Sequence, residues 1–249
     1  MTEPHTPAAP EGDLLVIAAL HLIPGALALP VYGLLARPVQ ALGHPSVAAW
    51  IIAAAVVLVP LELGWLYYLG HRRNGRLSLE GIVLYRRELG AGELVKATAG
   101  ILGVILLFSL LTAPLGRWLR LAMFDWIPLW FVLDRGIGNP EIGSAALTLV
   151  NVTGLVVLVF GLAVTEELYF RGYLLPRLER LGGWAVPFHS FLYALYHFVT
   201  PWRIITYTLF ALPITDLTRR TGSILPAIVA HAVVSGVSVA AGFAYLLSR

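Results

Sequence analysis

Apolar residues in this chain come in long blocks, separated by short clusters of arginine, proline and glycine. A helix needs about 20 predominantly apolar residues to cross a bilayer. Blocks of that kind lie at residues 14–35, 47–70, 95–115, 144–165, 184–200, 203–218 and 223–247. The first contains His21, Pro24, Gly25 and Pro30, which predicts a kink. Between residues 117 and 135, Trp118, Trp126, Trp130 and Phe131 alternate with Arg117, Arg120, Asp125, Asp134 and Arg135. That pattern suits a helix lying in the membrane interface. The expected fold class is therefore all-α, a polytopic transmembrane helix bundle of about seven to eight membrane helices. Residues 1–12 show no apolar periodicity and read as a disordered tail. They lack the positive stretch of a signal peptide, so the first apolar block is expected to be retained. With no internal repeat and no low-complexity linker, residues 13–249 read as a single membrane domain.

Composition supports the membrane reading. The chain is 58% hydrophobic and 12% charged, with mean hydropathy +0.81, whereas soluble domains carry about a quarter charged residues. Too few charges remain to cover the water-facing surface of a 249-residue globule. The absence of cysteine excludes a disulfide framework, a thiolate metal site and a thiol nucleophile. The net charge of +3 does not point to nucleic acid, because the basic residues sit mainly between apolar blocks without interleaved aromatics. No nucleic-acid partner is expected.

Those basic residues instead predict orientation. Arg72, Arg73, Arg76, Arg86, Arg87 and Lys96 fall between the second and third blocks. Arg171, Arg177 and Arg180 should lie on the same side, as should Arg219 and Arg220. This side holds eleven of the 17 basic residues and is expected to be cytoplasmic. The N-terminal tail, placed on that side too, carries Glu3, Glu11 and Asp13 without a basic residue. The dense 71–96 segment is given the greater weight.

Ionisable side chains at the centre of a membrane helix cost about 2.5–3.5 kcal/mol on insertion scales, so each is a functional candidate. Here they are His21, Glu62, Glu166, Glu167, Arg171, His189, His197, Asp216 and His231. In the segment EELYFRG, Glu167 and Arg171 are four residues apart and can pair on one helix face. Glu166 points about 100° away and meets different surroundings. Two carboxylates so separated can take different roles, although a charge cluster that merely ends the span is the alternative. His197 closes YALYHF, with Tyr193 and His189 one and two turns earlier on the same face. Two turns rise about 12 Å, which puts His189 outside any small site built on His197. His231 and Ser235 share a face of the last block, an arrangement that also serves as packing glue between helices. Glu62, His21 and Asp216 have no assignable partner and read as structural or as part of an access path.

One carboxylate and two imidazoles on three different spans can converge. Glu166 could act as general base on water, with one histidine orienting it and the other donating to an oxyanion. Glu166, His197 and His231 could equally hold a divalent metal such as zinc as a two-His, one-carboxylate site. A proton-relaying transporter using Glu62, Glu166 and the histidines would predict repeat symmetry between halves, and none is visible.

The succession of Glu-Glu-x-x-x-Arg, aromatic-x-x-x-His and His-x-x-x-Ser on apolar helices resembles the CPBP family of intramembrane proteases. That family includes CaaX endopeptidases and bacteriocin-processing and immunity proteins. The resemblance covers about residues 144–240, with its first motif complete at Glu166–Arg171. Tyr193 stands where the family usually has Phe, and Ser235 where it usually has Asn. The resemblance implies an intramembrane endopeptidase of glutamic type, without a cofactor, in a bacterial cytoplasmic membrane with its site toward the cytoplasm. Glu166 would activate water with help from His197, and His231 and Ser235 would stabilise the oxyanion. Glu167, Arg171 and Tyr193 would brace the site. The substrate would be a membrane-anchored peptide or protein tail. A catalytically silent membrane scaffold or immunity-type protein is the alternative that the serine at 235 raises.

Overall fold

Each apolar block is helical in the structure, a computed structural model that describes residues 13–133 and 142–248. Helix α1 spans Leu14–Ala41 and stays continuous through Pro24, Pro30 and Pro38. Helix α2 spans Ser46–Asn74, with a π-helical turn at Ala54–Leu58. Helix α3 spans Ala91–Met123. Helix α4 occupies residues 144–184, α5 Ala185–Tyr196, α6 Ile204–Thr221 and α7 Leu225–Leu247. No strand forms among the described residues; a single β-bridge joins Arg86 and Ser223.

Among the described residues, five helical runs are long and apolar enough to cross a membrane, so the expected seven to eight is not reached on that criterion. Two of the predicted spans merge into one run, Ser144–Tyr196, because the chain turns without leaving helical hydrogen bonding. The turn is made at Gly182 (φ 57°, ψ −122°), a conformation open to glycine and strained for any other residue. Another predicted span, now α6, carries Asp216, Arg219 and Arg220 in its 18 residues and is too polar to count.

The interfacial helix expected over 117–135 does not form. Residues 117–123 are the last turns of α3, which continues through Pro114 as far as Met123. A short 3₁₀ turn follows at Leu129–Phe131. Asp134 and Arg135 lie outside the described residues, as does the expected disordered tail over 1–12.

Large apolar side chains such as Leu106, Leu107, Leu110 and Leu111 project from α3 unburied, as lipid-facing positions should. The main core forms where α1, α2, α4 and α5 meet, around Leu58, Leu66, Phe170, Leu174 and Tyr196. Gly25 is essential to that meeting, since a Cβ there would lie 2.1 Å from the Tyr196 carbonyl oxygen. Residues 75–90 fold back over one end of the bundle. Leu84 N–H donates to the Gly172 carbonyl (2.8 Å), Arg87 N–H to Gly222 (2.9 Å), and Ile224 N–H to Tyr85 (2.9 Å). The three arginine-bearing segments thus gather at one end, as their grouping in the sequence requires.

Candidate active site

Glu166 ends a short α-helical stretch, Ala163–Glu166, set between π-helical turns at Leu155–Leu162 and Glu167–Leu174. Such π-turns are enriched at functional sites, where they redirect successive side chains. The two neighbouring carboxylates indeed diverge. Glu166 accepts hydrogen bonds from two phenols, Tyr193 Oη on Oε2 (2.8 Å) and Tyr196 Oη on Oε1 (3.1 Å). Glu167 Oε1 accepts from Arg171 Nη1 (3.0 Å) and lies 3.0 Å from His231 Nδ1. Both carboxylates and Arg171 are buried.

The predicted bracing set is therefore in contact. Arg171 pairs with Glu167 and places its guanidinium carbon 3.9 Å from the centre of the Tyr193 ring. Tyr193 does more than pack, because its hydroxyl, absent from the phenylalanine usual at this position, holds Glu166. His197 sits just past the end of α5, where its Nδ1 donates to the Tyr193 carbonyl (2.9 Å). A carbonyl can only accept, so the neutral ring keeps its lone pair on Nε2. The ring packs on Tyr207, centroids 4.4 Å apart. By the same reasoning His231, donating from Nδ1 to Glu167, needs a second ring proton before Nε2 can donate.

Glu166, Glu167, Tyr193, His197, His231 and Ser235 all line one cavity of about 290 Å³, whose remaining wall is mainly apolar side chains such as Trp50, Leu162 and Phe210. Polar groups converging in an apolar cavity are the common form of a site that processes a peptide or small molecule. Among the described residues no three His, Asp or Glu side chains are grouped to hold a metal ion.

His189 lies outside this cavity, as its rise along the helix predicts. It donates from Nε2 to the Phe170 carbonyl (3.1 Å) and meets His21 edge to face, centroids 5.0 Å apart. His21 in turn donates from Nδ1 to the Ile17 carbonyl (2.8 Å). Asp216 pairs with Arg220 at 2.8 Å on the surface of α6. Glu62, for which the sequence offers no assignable partner, has its Oε1 2.9 Å from Tyr196 Oη. Sequence reasoning missed Tyr196 as well. The available signal was its position three residues after Tyr193, on the same helix face.

Residues 148–237 match the family model described as Type II CAAX prenyl endopeptidase Rce1-like. The matched stretch runs from α4 into α7 and contains every residue lining the site except Trp50 of α2, Ile105 of α3 and Ser238 of α7. This agrees with the resemblance carried by the three motifs. Together with the apolar helices, the match indicates an integral membrane protein. No curated protein and no solved structure matches the chain.

Proposed function

From the Rce1-like match over residues 148–237, we propose that this chain is an intramembrane endopeptidase in which Glu166 activates water against a peptide bond of a membrane-anchored substrate. The observation that carries this reading is the separation of the two carboxylates. Glu167 is committed to Arg171 and His231, whereas Glu166 receives only neutral phenol donors and faces the cavity. A carboxylate held this way keeps lone pairs for a water proton. His197 Nε2 accepts the water's other hydrogen and orients it. Hydroxide attacks the carbonyl carbon, and the resulting oxyanion takes hydrogen bonds from the Ser235 hydroxyl and from His231 once its Nε2 is protonated. Glu167 balances the charge of that imidazolium. Glu166 then gives its proton to the amide nitrogen, the C–N bond breaks, and the two termini separate. The reaction consumes one water and restores Glu166.

The substrate is a peptide already held in the bilayer, and a prenylated tail ending in a CAAX sequence is its first candidate, following the family description. The arginine-rich end of the bundle faces the cytoplasm. Purified protein in lipid vesicles, given a fluorogenic prenylated CAAX peptide, should cleave it. Peptide termini in membranes with and without the active protein should differ at one class of anchored substrate. Cleavage should survive exhaustive removal of divalent ions. Activity that vanishes on chelation and returns with stoichiometric zinc would replace this mechanism with a metal-dependent one. Unchanged termini together with an uncut reporter would favour the silent scaffold.

A further inference from the structure

Glu62 lies on α2, outside the stretch matched to the family model, and is fully buried. Its Oε1 is 2.9 Å from Tyr196 Oη, and the same phenol oxygen is 3.1 Å from Glu166 Oε1. A phenol carries one proton and can donate to only one of these carboxyls. The other contact needs a proton of its own, because two bare lone pairs facing each other across such a distance repel. Both carboxyls also cannot be ionised this close together in a dry interior without a severe electrostatic cost.

The surroundings decide which carboxyl carries the extra proton. Glu166 has a second donor in Tyr193, which in turn packs under the Arg171 guanidinium, and it borders the polar part of the cavity. Glu62 has neither: its Oε2 is buried without a hydrogen-bond partner. An unpartnered carbonyl oxygen on a neutral acid costs far less than an unpartnered oxygen of a buried carboxylate.

We infer that Glu62 is a positioning residue held as the neutral acid, donating from Oε1 to Tyr196 so that the Tyr196 proton is committed to Glu166. The hydrogen-bond chain then runs one way, from Glu62 to Tyr196 to Glu166, and ends on the charged base. Both oxygens of Glu166 are fixed by phenols, which sets the direction of the lone pairs left for water. The inference rests on Glu166 being the base. It explains why an acidic residue stands in the middle of an apolar helix that the family motifs do not reach.

The test uses the full-length protein in lipid vesicles and begins with infrared difference spectroscopy. Wild type minus Glu62→Gln should show the carbonyl stretch of an un-ionised, deuterium-exchangeable carboxyl. The same band should persist in Glu166→Gln. Absence of an un-ionised carboxyl band in the difference would overturn the inference, whatever the activities. Turnover of the prenylated CAAX peptide supplies the second arm. Glu62→Leu should lower kcat by about two- to tenfold with little change in KM, as loss of a hydrogen bond between neutral groups does. Glu62→Gln, whose amide can still donate, should recover most of that loss. In a Tyr196→Phe background, Glu62→Leu should cost nothing further. A Glu62→Gln variant as damaged as Glu62→Leu would show that a charge was needed at Glu62. Should Glu166→Gln remain active while the infrared band appears, the base assignment fails and the neutral Glu62 stands.

Discussion

Glu166 and Glu167 are adjacent in the chain and share no hydrogen-bond partner. The difference originates in helix geometry: one step of about 100° turns one carboxyl toward α5 and the other toward α7. Tyr193 sharpens it by donating to Glu166 while its ring faces Arg171. Tyr193→Phe keeps the ring and removes only the donor. Its kcat should fall by about tenfold, the effect of one lost hydrogen bond to a charged group, with thermal stability little changed. Equal turnover by this variant would show that the hydroxyl does not position the base. At the oxyanion end, loss of one donor costs about 10²–10³ in soluble proteases. Ser235 reaches less far than the usual asparagine, so Ser235→Ala should lower turnover modestly and His231→Ala should nearly abolish it. Ser235→Asn should preserve or raise turnover. A well-folded but inactive Ser235→Asn beside an unaffected Ser235→Ala would remove position 235 from the site.

At the level of elements, the matched stretch supplies the reacting groups and the unmatched helices supply their wall. Helix α1 approaches α5 at Gly25 so closely that any side chain would strike the Tyr196 backbone. Gly25→Ala should therefore destabilise the protein by about 1–3 kcal/mol, as overpacking does, and reduce turnover by displacing Tyr196. Gly64→Ala, where a Cβ meets nothing within 4 Å, is the control and should be neutral or stabilising in thermal unfolding. Equal behaviour of the two variants would refute the close approach. The helices themselves were legible in the sequence, because a crossing segment must be apolar over a fixed length. The turn at Gly182 was less so: helical periodicity continues through it, and only the Gly182–Gly183 pair marks the break. The run over 117–123 misled because tryptophan alternating with arginine fits both an interfacial helix and the end of a long spanning one. The pairing of Glu167 with Arg171 could be read from spacing within one helix. The bond between Glu62 and Tyr196 could not, since 134 residues separate them and only packing of α2 against α5 brings them together.

Across the whole molecule, the folded-back segment at residues 75–90 joins the ends of α4, α6 and α7 into one arginine-rich cap. Glu166 lies within two turns of the Gly172 carbonyl that this segment holds. On the other side, the site cavity shares the wall residues Tyr207 and Phe210 with a second cavity of about 470 Å³ lined by Arg117, Arg120 and Arg203. Under the proposed orientation, drawn from the positive-inside rule, the cap faces the cytoplasm. A chain without cysteine makes this simple to check. A cysteine replacing Arg76 should react with membrane-impermeant thiol reagents only after cells are opened, and one replacing exposed Trp126 should react in intact cells. The opposite labelling would invert the bundle.

The most direct test of the mechanism is turnover by Glu166→Gln, compared with wild type on the same prenylated CAAX peptide in vesicles. Glutamine keeps the size of the side chain and one acceptor oxygen for a tyrosine hydroxyl, but it cannot take a proton from water. Turnover should fall by at least about a hundredfold, the lower end of general-base contributions, while expression and thermal unfolding stay close to wild type. Cleavage by a folded Glu166→Gln at the wild-type rate would contradict the account.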